Sequence, residues 1–138
     1  MTLDGADPQV LAQAECFRLL AGERLGRVAI TVKALPVILP VRFALDRDEI
    51  VFRAPPGGVL AEATHHAVIA FEADGSEPGV GSWSVLATGV ARHLADHDAR
   101  VLTSLPPWSS ETDVFVALAP QLLSGRRLSE CDTTDRPA

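Results

Sequence analysis

Between residues 25 and 54 three strand-length apolar segments follow one another with almost nothing between them. LGRVAITV (25–32), PVILPVRFAL (36–45) and EIVFRA (49–54) are rich in branched and aromatic residues that suit a pleated, half-buried surface. The first alternates its apolar positions with Arg27 and Thr31. Turns as short as Lys33-Ala34 and Asp46-Arg47-Asp48 join them, and such turns connect antiparallel neighbours. An antiparallel meander follows, and the rest of the chain has to complete that sheet. Pro40 interrupts the second segment, which implies a bulge or a sheet edge there.

The third strand runs into IVFRAPPGGVL (50–60). Pro55 and Pro56 fix φ and donate no N–H, whereas Gly57 and Gly58 tolerate positive φ. Val59, Leu60 and Ala63 then share one helical face with Glu62 on another, so a short helix is expected over 58–64. A glycine loop of this kind is either an ordinary strand-to-helix turn or a place where unpaired backbone N–H groups meet an anion such as phosphate.

Upstream, Pro8 and the apolar series Val10, Leu11, Ala14, Phe17, Leu20 and Ala21 predict a helix over 8–22. Downstream, AVIAFEA (67–73) reads as a fourth strand, DGSEPGVGS (74–82) as a glycine-rich loop and WSVLATGVARHL (83–94) as a long fifth strand. Gly89 marks a bulge or barrel corner in that strand. A short helix from Asp96 to Leu105 is ended by Pro106-Pro107-Trp108. DVFVALA (113–119) and LLSGRRL (122–128) complete the sheet, and the polar residues 129–138 read as a disordered tail. About six strands with peripheral helices suggest a mainly β fold, a small closed barrel without exposed edges, formed by a single domain over residues 1–128.

Composition excludes several functions. A net charge of −6, no tyrosine and an aromatic share of 5% disfavour a nucleic-acid partner. MTLDGADPQ has no basic stretch followed by an apolar run, and the apolar segments are too short to span a membrane, so a cytoplasmic protein without a membrane partner is expected. Cys16 and Cys131 read as free thiols. His93 and His97 are separated by a strand end and a turn, and His65-His66 suits a helix C-terminus, so no metal site is expected. Lys33 stands alone against eleven arginines, the residue type suited to gripping phosphate through two hydrogen bonds.

The ordered landmarks LGRVAI, PVILPVRFAL, IVFRAPPGGVL, VIAFEAD, GSWSVLATGVA and LSGRRL, spread from about Phe17 to Leu128, resemble the pyridoxamine 5′-phosphate oxidase-like proteins of the flavin-binding split-barrel superfamily. The resemblance implies a six-stranded antiparallel split barrel. It also implies a homodimer with FMN in a cleft between the subunits. In that family the phosphate is held partly by a loop after the third strand, which falls here on Gly57, Gly58 and Val59, so the loop's usual lysine is missing. It is held partly by a basic residue on the preceding strand, which falls on Arg42. Cofactor contacts implied on either side of the loop are Phe52, Arg53, Ala54 and Leu60, with Arg53 and Arg42 as phosphate ligands in place of the lost lysine. Arg42 alternates with Val41 and Phe43, so it is either such a ligand or a solvated outer-face arginine. Trp83 and Ser84 fall where the family brings side chains against the flavin ring, although Trp83 also suits the end of a barrel core. Arg126 and Arg127 are either cleft residues or solvated charges, and Trp108 is a packing or interface residue.

The expected activity is that of an FMN-dependent oxidoreductase reducing a small organic substrate, with a deazaflavin as the alternative cofactor. No catalytic side chain is assigned. The family's true oxidases continue into an arginine-histidine segment where this chain has a polar tail. The competing expectation, motivated by Val59, is a non-catalytic split barrel that binds a flavin, another cofactor, or none.

Overall fold

The protein is described from a computed structural model that covers residues 10–95, 105–106 and 113–128. Its elements are β1 (Val10–Leu11), α1 (Gln13–Ala21), β2 (Leu25–Val32), β3 (Leu35–Asp46), β4 (Glu49–Ala54), α2 (Val59–Ala63), β5 (Ala67–Glu77), β6 (Gly81–His93), β7 (Val114–Leu118) and β8 (Leu122–Arg127). The β2–β3–β4 meander is present, and all of its pairings are antiparallel. Lys33 and Ala34 both adopt positive φ (50° and 67°), the left-handed pair of a two-residue hairpin turn whose twist matches its strands.

Strand order is β1-β8-β6-β5-β2-β3-β4-β7, and an additional β6–β7 pairing closes β6, β5, β2, β3, β4 and β7 into a six-stranded barrel. The closure works because β6 is long enough to have different partners along one edge. Its Trp83–Thr88 half pairs with β8, and its Ala91–His93 half pairs with β7. Gly89 sits where the partner changes. A β-carbon there would come within 2.4 Å of the Ala119 carbonyl oxygen, so only glycine lets the β7–β8 connection cross the strand. The β5–β6 ladder runs unbroken through Ile69↔Gly89, so the site is a corner and not a bulge. The β2–β3 ladder is likewise continuous through Arg27↔Pro40. Pro40 therefore occupies an edge: β4 covers only Phe43–Asp46, and the proline half of β3 has no second neighbour.

Two sequence expectations change. The first helix begins at Gln13, because Val10 and Leu11 pair with Arg126 and Gly125 as a short strand. The stretch 74–82 is no loop: β5 continues to Glu77 and β6 begins at Gly81, leaving a tight hairpin turn in which the Val80 N–H donates to Glu77 O (3.0 Å). Its Gly79 and Gly81 both take positive φ, which produced the loop-like composition. The expected helix over 96–105, Trp108, His97, Cys131 and the tail 129–138 lie mostly or wholly outside the described residues. Among the described residues no helix is long and apolar enough to cross a membrane.

The barrel interior holds Leu19 and Leu20 of α1 together with Phe43, Phe52, Phe71 and Trp83, with Phe43 and Phe71 edge to face at 4.8 Å. A second, smaller cluster of Val51, Leu105, Phe115 and Ala117 covers the other face of β4. Strand β4 is therefore buried on both sides, and this decides what its side chains can do.

Candidate functional site

Along β4, Phe52 and Ala54 point into the barrel and are fully buried, while Arg53 points to the opposite face and is only 7% exposed. A buried guanidinium needs compensating partners. Arg53 Nη1 donates to Leu105 O (3.0 Å), its Nε lies 3.3 Å from Asp113 Oδ2, and its guanidinium stacks 4.8 Å from the centroid of Phe115. This corrects the expectation that Arg53 holds phosphate. Its charge is committed to a buried carboxylate and to pinning the segment at Leu105–Pro106.

That segment forms one wall of a cleft of about 490 Å³ at the barrel rim. The opposite walls are the end of α1 with Leu20 and the following Glu23-Arg24, and β3 from Arg42 to Leu45. Arg42 is exposed between buried Val41 and Phe43, as strand alternation requires. Its position is set by the pair Leu25↔Arg42, and one step further Phe43 faces Phe52 across the β3–β4 ladder. Arg42 therefore stands beside the end of β4 that feeds the glycine loop. Arg24 is held close by its own backbone, since the Phe43 N–H donates to Arg24 O (3.0 Å). Among the described residues neither Arg24 nor Arg42 is in an ion pair. Arg24 went unnoticed in the sequence because it lies in a turn, where periodicity says nothing of direction.

The loop turns at Gly57 with φ of 74°, and nothing stands within 4 Å of the space a β-carbon would fill there. Gly58 precedes the first residue of α2 and its N–H reaches Pro55 O at 3.4 Å. Helix α2 has only five residues, so any anion at this loop would be held by individual backbone N–H groups and not by a helix dipole. Val59 opens the helix with its side chain 51% exposed, whereas Leu60 is buried in the core. At the far end of α2 the Thr64 hydroxyl donates to Leu60 O (2.7 Å). His93 meets Ala61 O through Nε2 (2.9 Å), and burial together with neighbouring His65 and His66 lowers its pKa. Among the described residues no group of three potential ligands is arranged for a metal ion.

Trp83 is 2% exposed and lies in the main core. Ser84 faces outward and donates to Glu72 Oε2 (3.2 Å). Arg27 Nη1 donates to Glu72 Oε1 (2.7 Å), and its Nη2 lies 3.5 Å from Asp74. Burial, and then the hydrogen bond with Asp74, raise the Glu72 pKa. These polar groups border an apolar strip on the outer sheet face, where Ile38, Ala29, Ala70 and Leu86 line a shallow groove of about 290 Å³. Ile38 is 69% exposed. The structure thus gathers Arg42 and the start of the glycine loop at one end of the β3–β4 pair, sets Ser84 on the outer face, and turns Phe52, Ala54, Leu60 and Trp83 into the core. Of the remaining arginines, Arg126 is half-buried and Arg127 exposed on β8.

A closed antiparallel barrel whose sixth strand is shared between two partners, with a basic cleft at its rim, defines a split-barrel protein. Residues 12–127 match the family model described as pyridoxamine 5′-phosphate oxidase, and the chain belongs to that family. It is 34% identical to the uncharacterized protein Rv0080 of Mycobacterium tuberculosis over 127 residues, covering 86% of this chain and 84% of that one. Among solved structures it is similar to a Mycobacterium smegmatis protein described as FAD binding, with 29% identity, a TM-score of 0.69 and coverage of 87% of this chain and 97% of that one. A FAD-binding protein of Mesorhizobium loti shares the fold with a TM-score of 0.72 at 24% identity, with coverage of 88% and 98%.

Proposed function

We propose that this protein is a flavin-dependent oxidoreductase, working as a homodimer in the cytoplasm on a small organic substrate. The observation that carries the reading is Arg42: an exposed guanidinium without an ion pair among the described residues, beside the strand that leads into the glycine loop. The FAD-binding relative at 29% identity supports a flavin as the ligand. The residues present fit such a group. Arg42 would hold the phosphate next to the flavin through charge-assisted hydrogen bonds, and the loop at Gly57 leaves open space for it. A bound flavin supplies the hydride or electron transfer, so the chain's residues have only to bind, orient and shield it. That division of labour suits a site with no acid-base constellation among the described residues.

The strip at Ile38, Ala70 and Leu86 is the proposed contact with a second copy. An antiparallel sheet face that carries exposed branched residues at its centre and an arginine–carboxylate cluster at its border is suited to pairing with itself. Val59 favours a second reading, a split barrel that binds a cofactor without turning over substrate, because its exposed side chain offers no charge where the family has a lysine.

Flavin titration of variants decides between these roles. Arg42→Ala should weaken flavin binding by roughly ten- to a hundred-fold, the loss expected for one charge-assisted contact, and Arg126→Ala should weaken it less. Val59→Lys should tighten it. Equal effects of Arg42→Ala and Arg126→Ala would remove the phosphate role from Arg42, and an unchanged dissociation constant for Val59→Lys would turn the loop away from the phosphate.

A further inference from the structure

The cleft at the barrel rim holds two arginines, and the reading above uses only one of them. We infer that Arg24 and Arg42 form a two-part phosphate clamp, in which Arg42 takes the phosphate common to all flavin nucleotides and Arg24 takes the second phosphate that only a dinucleotide has. This rests on the flavin-binding reading and adds to it a residue that selects the form of the cofactor.

Three features support the clamp. First, both arginines line the same cleft of about 490 Å³, and the backbone ties them together through the Leu25↔Arg42 pair and the bond from the Phe43 N–H to Arg24 O. Secondly, two positive charges in one cleft favour an anion there, and among the described residues none of the ion pairs includes either one. Glu23 also lines the cleft, with its Oε1 turned toward Gly75, 2.7 Å from the position of a β-carbon there and next to the Trp83 ring. Thirdly, the cleft has a firm wall and an apolar floor. The buried Arg53–Asp113 pair holds Leu105 at one side, and half-buried Leu45 supplies apolar surface against which the rest of a dinucleotide can rest. A guanidinium offers a planar fork of donors that matches a phosphate, so each arginine can grip one phosphate of a diphosphate.

The test compares FMN, FAD and inorganic pyrophosphate on the full chain and on Arg24→Gln, an exposed position whose replacement leaves the core intact. The wild type should bind FAD roughly ten-fold more tightly than FMN, the value of one charge-assisted contact, and Arg24→Gln should erase that preference. Pyrophosphate alone should raise the wild-type melting temperature, and should raise it less in Arg24→Gln and in Arg42→Gln. If wild type binds FMN and FAD alike, or if Arg24→Gln keeps the preference, the clamp is wrong while the flavin site stands. If neither flavin binds but the pyrophosphate shift depends on both arginines, the flavin reading fails and the phosphate clamp survives on its own. If pyrophosphate also has no effect, both fall.

Discussion

Replacing Arg53 with alanine should lower the unfolding free energy by about 3–5 kcal/mol, the penalty for leaving a buried charge without its partner. The charge left behind is Asp113, buried beside Val114 at the start of β7. The same change releases the Leu105 carbonyl and removes the stacking on Phe115, so the wall of the rim cleft should loosen along with the fold. Urea unfolding followed by circular dichroism measures the first effect. A companion variant separates charge from packing: Arg53→Met combined with Asp113→Leu removes both charges and should recover most of the loss, because replacing a whole buried pair with apolar groups is often close to neutral. A loss below about 1 kcal/mol for Arg53→Ala would mean the pair behaves like an exposed one, and that the segment is held by something else.

The second large effect belongs to the outer sheet face. Ile38 is mostly exposed, so glutamate at that position should cost the isolated subunit almost nothing. In a homodimer built on this face the same carboxylate would be buried against its symmetry copy, and like charges desolvated together destabilise strongly. Ile38→Glu should therefore halve the mass measured by light scattering, leave the circular dichroism spectrum unchanged, and weaken flavin binding if the cleft is completed by the partner. A wild-type protein that is monomeric at micromolar concentration, or an Ile38→Glu variant that stays dimeric, would contradict this assignment.

What the sequence revealed, and what it concealed, follows from how locally each feature is specified. The meander could be read because its turns are short and its strands alternate, and Arg42 could be placed on an outer face because Val41 and Phe43 flank it. Strand β4 defeated the same logic. Alternation tells which residues share a face but not that a second layer covers the far one, so Arg53 looked available when it is enclosed by Leu105, Asp113 and Phe115. Those partners lie more than fifty residues away, and only a lone acid heading the apolar run VFVAL hinted at one of them. The glycines of 74–82 suggested a loop because composition cannot tell a long hairpin with a tight tip from an irregular segment. Gly89 gave the opposite lesson: glycine within a strand pattern signalled a bulge or a corner, and it is a corner because only the absence of a β-carbon admits the crossing backbone.

The measurement that bears most directly on flavin binding is the visible spectrum of freshly purified protein, followed by titration with flavin monitored by fluorescence. A yellow protein, or saturable quenching at one flavin per subunit, is the expected result. A colourless protein that leaves FMN and FAD fluorescence untouched would contradict the account and leave a split barrel whose rim cleft serves some other ligand.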